Sequence, residues 1–490
     1  MGGMSIDHDL AGITIALQRA GLLVSGTASP ARVAGITVDS RAVVPGMVYI
    51  AVRGSQADGH QFIADAARRG AAALVVESPQ NSGLPELVVR DGRLAAIALA
   101  RAWYDDPAAR LLLVGVTGTN GKTTTTALTR HLLNGAGEAG SLGTLGAFDG
   151  QGQQVPSTAG SLTTPGAVDL QATLAELVRR GVTRVAMETS SHSLDQGRLD
   201  GLSFAAGIFT NLTRDHLDYH QTMEAYLAAK LRLSSLLAPD GVEVVNADDT
   251  AWQAMPRRAP RLTFGLTPTA DVRAEELNLD HGGSTFILRT PEGAAPVRLP
   301  LLGAFNVANA LGAAAAALAV GEPFPAVAAG LNAAPQVPGR MERIVEHPSV
   351  VLRDYAHTPD ALERALETLR PLTPGRLIVL FGAGGDRDRG KRPVMGRVSG
   401  EAADLVVVTS DNPRTEDPEA IIDDIVPGLA GRPFIRIADR KAAILAALAE
   451  AKRGDTVLLA GKGHETYQVV GKEKLPFDER EIVLQALGTR

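Results

Sequence analysis

The sequence predicts an α/β protein of three domains, two of them open parallel sheets. Three observations predict it. Short apolar runs of strand length alternate with helical patterns along the chain, as in doubly wound sheets. A Gly/Thr-rich stretch, Gly118-Thr-Asn-Gly-Lys-Thr-Thr-Thr-Thr126, stands between an apolar run and a helical segment. The length, 490 residues, suits about three domains, and Pro-containing breaks at Asp105-Asp-Pro107 and Pro335-Gln-Val-Pro-Gly339 divide it. The expected divisions are residues 1–109, 110–336 and 337–490.

The first domain reads as a small α/β unit. Ile36–Ser40, Met47–Val52 and Ala73–Val76 have strand character, and Phe62–Arg69 and Leu94–Trp103 read as helices. The central domain opens with the strand Leu111–Val116. Later strands are expected at Arg184–Glu188, Ala205–Thr210 and Val242–Val245, with helices near Val168–Arg179 and Met223–Leu236. Residues 261–300 read as a small β insertion, and the Ala-rich helix Asn306–Val320 closes the domain. The third domain is a Rossmann-like open α/β sheet. Its strands fall at Val350–Leu352, Leu377–Phe381, Leu405–Val408 and Thr456–Ala460. Its helices fall near Pro359–Leu369, Pro393–Gly400, Pro418–Val426 and Lys441–Lys452.

Composition narrows the function. The chain is 45% hydrophobic and 21% charged, ordinary for a globular protein. A formal net charge of −6 favours neither nucleic acid nor an anionic membrane as partner. The absence of Cys excludes disulfides, thiolate metal sites and Cys nucleophiles. Residues 1–20 contain Asp7, His8 and Asp9 and no long apolar core, so no secretory signal is expected. The longest apolar stretch, Ala313–Val320, is too short to cross a bilayer. A cytoplasmic protein without membrane insertion is the expectation.

Strand, glycine-bearing loop and helix together make a phosphate site. The backbone N–H groups of the loop converge, and the helix N-terminus adds partial positive charge. Lys122 can reach the outer phosphates of a nucleoside triphosphate and the Thr123 hydroxyl can ligate Mg²⁺. The general pattern asks for Gly where Val116 stands; Gly115 and Gly118 are offset from it.

Ligands of open sheets sit beyond the carboxyl ends of the strands, and polar clusters fall there. Glu188-Thr-Ser-Ser-His192 offers Glu188 as a second acid for Mg²⁺. In Asn211–His220, His216 and His220 are four apart. That spacing allows zinc, without an evident third ligand, or one His on Mg²⁺ or phosphate. Lys230 shares a partly apolar helical face with Tyr226 and Leu227 and reads as a snorkelling side chain. In the third domain Gly382–Arg392 is a basic turn suited to an anion. Asp411-Asn-Pro-Arg414 and Gly461-Lys-Gly-His-Glu465 follow two further strands. Asp411 and Glu465 can take ammonium groups, Asn412 can donate and accept, and Arg414 can clamp a carboxylate. That set fits an amino-acid zwitterion.

Taken together the chain resembles the Mur ligases, ATP-dependent amide-bond enzymes of peptidoglycan synthesis. The resemblance rests on Gly118–Thr123, Glu188–His192, Asn211–His220, Phe305-Asn-Val-Ala-Asn309, Gly339-Arg-Met-Glu342 and Asp354-Tyr-Ala-His-Thr-Pro359, in family order. Asp39-Ser-Arg41, Asp58-Gly59, Gly385-Asp-Arg387 and Asp411–Arg414 resemble members that add the third amino acid. The resemblance implies that UDP-N-acetylmuramoyl-L-Ala-D-Glu meets Ser40, Ser55, Gln56 and Ala57 through its uridine end, and Thr163, Thr164, Ser190, Gln196 and Arg198 through its muramoyl-dipeptide end. Ser55 departs from the His common among relatives. ATP would meet Thr117, Gly118, Thr119, Asn120, Gly121, Lys122, Thr123, Asn306, Arg340 and Asp354. Lys122, Glu188, His216 and Lys230 would be catalytic. Thr123, Glu188, His216 and a carbamylated Lys230 would hold Mg²⁺, which replaces the snorkelling reading of Lys230. Arg387, Asp411, Asn412, Pro413, Arg414, Gly461 and Glu465 would bind the amino acid. An Arg at position 414 implies meso-diaminopimelate, whose distal carboxylate lysine lacks. A monomer is expected. The readings left open are lysine or ornithine as the amine, another ligase of the superfamily such as folylpolyglutamate synthetase, a nucleotide-hydrolysing switch and an amino-acid-binding module.

Overall fold

A computed structural model describes residues 7–26, 30–54, 57–156 and 162–488. The chain forms two compact units. The first is Met1–Arg273 with Thr290–Glu292 and Asn309–Val327; the second is Ala274–Arg289, Gly293–Ala308 and Ala328–Arg490.

The first unit contains two sheets. The smaller holds β1 (Leu23–Ser25), β2 (Gly35–Thr37), β3 (Met47–Ile50), β4 (Ala73–Val76) and β5 (Glu86–Val89), in the order β1-β5-β4-β3-β2. Only β1 runs antiparallel to its neighbour. Helices α1 (Leu10–Arg19), α2 (Ile63–Arg68) and α3 (Gly92–Trp103) accompany it. Asp91 starts α3 by accepting from the Leu94 N–H at 2.8 Å, the side-chain cap that an orphan N-terminal donor needs.

The larger sheet carries the phosphate loop. Its elements are β6 (Leu112–Thr117), α4 (Lys122–Leu133), β7 (Ala139–Gly143), β8 (Gly146–Phe148), β9 (Gln154–Val155), α5 (Ala167–Arg179), β10 (Arg184–Glu188), α6 (Ser191–Asp195), β11 (Phe204–Phe209), α7 (Leu217–His220), α8 (Met223–Ser235), β12 (Leu237–Asn246) and β13 (Arg261–Gly265). The spatial order is β13-β12-β11-β6-β10-β7-β8-β9. Strands β13 to β7 pair in parallel, and β8 and β9 add antiparallel edges. After β6 the chain goes out to β7, and after β11 it goes the other way to β12. The crevice between β6 and β11 is therefore the topological switch point, where open sheets bind ligands.

Strand β14 (Val272–Asp280) leads into the second unit, which continues with β15 (Gly283–Thr290) and β16 (Gly293–Leu299); helix α9 (Ala304–Ala319) begins in the second unit and lies mostly in the first, and α10 (Phe324–Asn332) begins in the first and ends in the second. Then come β17 (Glu342–Val345), β18 (Val350–Asp354), α11 (Pro359–Leu369), β19 (Leu377–Phe381), α12 (Lys391–Ala402), β20 (Leu405–Val408), α13 (Pro418–Ile425), β21 (Phe434–Arg436), α14 (Arg440–Glu450), β22 (Thr456–Ala460), the hairpin β23 (Tyr467–Val470) and β24 (Glu473–Pro476), and α15 (Glu479–Leu487). The sheet order is β17-β18-β22-β19-β20-β21, parallel except for β17. The carboxyl ends of β18, β22, β19 and β20 thus lie side by side. Every residue of β19 and β22 is buried, which is why these strands read as unbroken apolar runs.

A buried ion pair ties two of those strand ends. Arg440 and Glu479 are fully buried, with Nε 2.8 Å from Oε1. Arg440 also donates to the carbonyls of Ser410 at 3.1 Å and Ala460 at 2.8 Å. Removing one partner of such a pair costs about 3–5 kcal/mol, because the other charge stays buried. Arg440→Met is therefore expected to lower the thermal unfolding midpoint by several degrees. A midpoint equal to that of the unchanged protein contradicts this account of the strand ends.

Candidate active site

The phosphate loop is held by the segment after β11. Asn211 accepts from the Asn120 N–H at 2.8 Å through Oδ1 and donates to the Asn120 carbonyl at 3.1 Å. Thr210 donates to the same carbonyl at 2.7 Å. The Thr119 hydroxyl donates to the Thr213 carbonyl at 3.1 Å and lies 3.2 Å from the Tyr226 hydroxyl. Two glycines make the loop possible. Gly118 has φ +149° and a Cβ there would stand 1.8 Å from Thr210 Oγ1. Gly121 has φ +81° and its Cβ would stand 2.2 Å from Asn309 Oδ1. Both are conformations glycine takes without steric penalty. Asn309, which also accepts from Thr125 at 3.3 Å, was quoted in the sequence motif without a role.

Two lysines meet at one carbonyl. Lys122 donates to Gly118 O at 3.0 Å and to Thr119 O at 2.8 Å. Lys230 donates to Gly118 O at 2.7 Å, and its Nζ lies 4.2 Å from the centre of the Tyr226 ring. Lys230 is buried and, among the described residues, has no carboxylate within ion-pair distance. Loss of hydration, reinforced by the Lys122 charge, pushes its amine well below the ordinary lysine value. A lysine so placed gives up its proton more readily than an exposed one, and it is not the solvent-reaching cation its sequence position suggested.

Glu188 is buried at the end of β10, which pairs with β6 so that Glu188 faces Val116. Its oxygens accept from the Thr144 N–H at 2.8 Å and the Thr144 hydroxyl at 3.1 Å. Thr123 is buried in the first turn of α4. Three histidine rings gather beyond β10 and β11: His192 lies 4.9 Å from His216 and 5.3 Å from His220. Burial, then the charges of the other two, hold His192 at about 4. Loss of hydration lowers His216 and His220 as well. His220 is 3.0 Å from Ser191 Oγ and buried, whereas His216 is exposed, at φ +52°. No cluster of three His, Asp or Glu arranged for a metal occurs among the described residues.

The residues assigned to the muramoyl dipeptide fall into one hydrogen-bonded group. Thr164 donates to Glu188 O at 2.9 Å and lies 3.4 Å from Ser190 Oγ. Thr163 accepts from Thr144 at 3.3 Å. Arg198 donates to Thr164 O at 3.1 Å and to Gln196 Oε1 at 3.0 Å. Ser40 is buried in the smaller sheet's domain, and Ala57 is exposed. Ser55 and Gln56 lie outside the described residues.

In the second unit Asp354 is the last residue of β18. Its carboxylate accepts from the Met341 N–H at 2.7 Å and the Ala356 N–H at 2.8 Å. Burial pushes it above the usual carboxylate range, against the Arg340 charge. Arg340 stacks on Tyr355 with its guanidinium carbon 4.8 Å from the ring centre. Asn306 is buried and donates to Leu302 O at 2.9 Å.

The acidic loop cluster forms where β19, β20 and β22 end. Asn412 donates to Glu465 Oε2 at 3.0 Å and accepts from the Val469 N–H at 2.8 Å. Arg414 has φ +53° and donates to Gly385 O at 2.8 Å. Arg387 is exposed. A Cβ on Gly461 would meet Asp411 Oδ2 at 3.5 Å, and Pro413 presses its carbonyl against Gly385. The cluster's centre is Lys462, to which the sequence reading gave no role. It is fully buried and its Nζ lies 3.5 Å from Asp411 Oδ1, 3.1 Å from Asn412 Oδ1 and 3.2 Å from Glu465 Oε2.

Comparison with known proteins agrees with this architecture. The Mur ligase middle domain matches residues 116–317, the Mur ligase glutamate ligase domain residues 339–463, and the catalytic domain of the Mur ligase family residues 32–104. The UDP-N-acetylmuramoyl-L-alanyl-D-glutamate--2,6-diaminopimelate ligase of Synechococcus elongatus is 47% identical over 475 residues, and that of Gloeobacter violaceus 46% over 467, each alignment covering 94% of both chains. A solved structure of a ligase with the same description is 35% identical, with a TM-score of 0.66 over 96% of this chain and 98% of that one. MurF from Acinetobacter baumannii, at 22% identity and a TM-score of 0.64 over 99% of this chain and 98% of its own, shares the fold. The chain belongs to the Mur ligase family.

The Lys230 environment makes a prediction with a sign. The unfolded chain binds a proton that the folded chain does not, from the lowered value up to the ordinary 10.5, so stability conferred by this site rises with pH across that window. In bicarbonate-free buffer Lys230→Met is expected to be at least as stable as the parent at neutral pH, with the difference shrinking as pH rises toward 10.5. Its kcat is expected to fall by about 10²-fold or more, the scale of losing one charge-stabilising group. Thermal melts across pH and steady-state rates check both.

Proposed function

We propose that the protein is an ATP-dependent ligase that joins meso-diaminopimelate to the D-Glu γ-carboxylate of UDP-N-acetylmuramoyl-L-Ala-D-Glu. One observation carries the amine choice: Asp411, Glu465 and Arg414 share one loop cluster. Among the described residues, Nε and Nη2 of Arg414 donate to nothing, so its fork can take a carboxylate beside an ammonium site. The description shared by relatives that align over nearly the whole chain supports the same substrates.

In the proposed reaction the γ-carboxylate attacks the γ-phosphorus of ATP, ADP leaves, and an acyl phosphate forms. The diaminopimelate amine then attacks the acyl carbon, loses a proton, and inorganic phosphate departs. Thr117 through Thr123 would cradle the phosphates, with Lys122 turning from its loop carbonyls toward the γ-phosphoryl. Asn306, Arg340 and Asp354 are assigned to the nucleoside end. Mg²⁺ takes one or two carboxylates together with phosphate oxygens and waters, and buried Glu188 with the Thr123 hydroxyl is a donor set of that kind. His216 and Lys230 would complete it, Lys230 as a carbamate. A deprotonated amine is the form that adds CO₂, releasing a proton and leaving a carbamate anion beside Lys122. When bound, the metal would neutralise charge as two anions approach. Thr163, Thr164, Ser190, Gln196 and Arg198 would hold the dipeptide, and Ser40 and Ala57 with Ser55 and Gln56 the uridine. The divisions 1–109, 110–336 and 337–490 would serve these three tasks in a cytoplasmic monomer.

Phosphate release with ATP and the UDP-muramoyl dipeptide is expected to depend on added amine, strong with meso-diaminopimelate and weak with L-lysine or ornithine. Release without amine points instead to a hydrolase. Arg414→Ala is expected to raise KM for diaminopimelate roughly 10- to 100-fold, the worth of a charged hydrogen-bonded pair, with KM for ATP unchanged. An unaltered KM for diaminopimelate refutes the clamp.

A further inference from the structure

The acidic pair of the loop cluster already contains an ammonium. An ammonium has three N–H donors, and the acceptors around Lys462 are three: Asp411 Oδ1, Asn412 Oδ1 and Glu465 Oε2. Lys462 is therefore saturated and, being fully buried, screened from water. Each acid keeps one oxygen: among the described residues, Asp411 Oδ2 and Glu465 Oε1 accept no hydrogen bond. The cluster is also fixed from below. Gln468 donates to the Asp411 carbonyl at 2.7 Å, and Arg440, neutralised by Glu479, holds the carbonyls of Ser410 and Ala460.

We propose that Lys462 is a specificity-determining residue, a built-in counter-ion that makes the Asp411–Glu465–Arg414 cluster charge-neutral and so suited to a zwitterion. The proposal rests on the reading that diaminopimelate is the amine substrate. Within the set Asp411, Glu465, Lys462 and Arg414 two carboxylates are matched by two cations; among the described residues the exposed Arg387 and Lys391, which donates to His357 O, form no ion pair with these acids. A distal end carrying one ammonium and one carboxylate adds no net charge to that balance. The distal end of lysine is a bare ammonium, and it would leave the cluster with an excess of positive charge. Lys462 also holds Asn412 and Glu465 in register, so the oxygens that receive the ligand are ordered before it arrives. Without the ammonium the cluster gains a net negative charge, which favours the bare ammonium over the zwitterion.

The test measures amine-dependent phosphate release with ATP and UDP-muramoyl dipeptide saturating, and with meso-diaminopimelate or L-lysine varied. Four proteins are compared: the parent, Lys462→Gln, Glu465→Gln and the double variant. In Lys462→Gln the ratio of kcat/KM for lysine to that for diaminopimelate is expected to rise at least tenfold, with KM for ATP unchanged. In the double variant the net charge is restored. Its ratio is expected to exceed that of Glu465→Gln by a similar factor, and this comparison stands even where Lys462→Gln alone does not fold. A ratio unchanged in both comparisons, with the two amines losing activity in parallel, means that Lys462 is only a structural strut and overturns the proposal. A parent protein that releases no phosphate with diaminopimelate refutes the functional reading instead.

Discussion

The carbonyl of Gly118 accepts from both Lys122 and Lys230, and much of the first unit follows from that contact. The Lys122 charge works against a second ammonium at that carbonyl, and among the described residues no carboxylate stands within ion-pair distance of Lys230. The arrangement persists because the loop is fixed from outside. Thr210, Asn211 and Thr213 clamp Thr119 and Asn120, and they can do so because β11 pairs directly with β6. Gly118 and Gly121 accept the backbone conformations this imposes. Strand order, glycine placement and the chemistry of Lys230 are thus one constraint: the switch point of the sheet makes the clamp, and the clamp brings the lysines together.

The two buried lysines show how environment decides what one residue type can do. Lys462 sits among two carboxylates and an amide oxygen, and its ammonium has every donor engaged. Lys230 has one carbonyl and an aromatic face, which leaves its charged form poorly supported. The first arrangement suits a side chain that organises a binding cluster. The second suits an amine that gives up its proton and reacts, as the proposed carbamate requires.

Much of the fold was legible because parallel strands buried on both faces are unbroken apolar runs. Leu377–Phe381, Leu405–Val408 and Thr456–Ala460 stand in the structure with the boundaries read from sequence, and Pro359 and Pro418 marked helix starts. Elements without that signal were missed. The hairpin Tyr467–Val470 with Glu473–Pro476 is half-exposed and polar, and Ala139–Gly143 is glycine-rich. The local geometry of the candidate site was legible where a motif is contiguous, as in the strand, glycine-bearing loop and helix from β6 to α4. It was illegible where burial decides: Lys230 lies on a helix whose apolar face is indistinct, and only tertiary packing buries it. Lys462 is 51 positions from Asp411, a separation across which sequence order carries no sign of contact.

In the proposed reaction a carboxylate is activated by phosphoryl transfer before an amine displaces the phosphate. Position-labelled oxygen reports that order of events. The UDP-muramoyl dipeptide is prepared with ¹⁸O in the D-Glu γ-carboxylate, turned over with ATP and meso-diaminopimelate in unlabelled water, and the inorganic phosphate is analysed by mass. Each phosphate released is expected to carry one oxygen from the carboxylate. Phosphate that acquires its oxygen from water, with the label retained in the peptide, would contradict it.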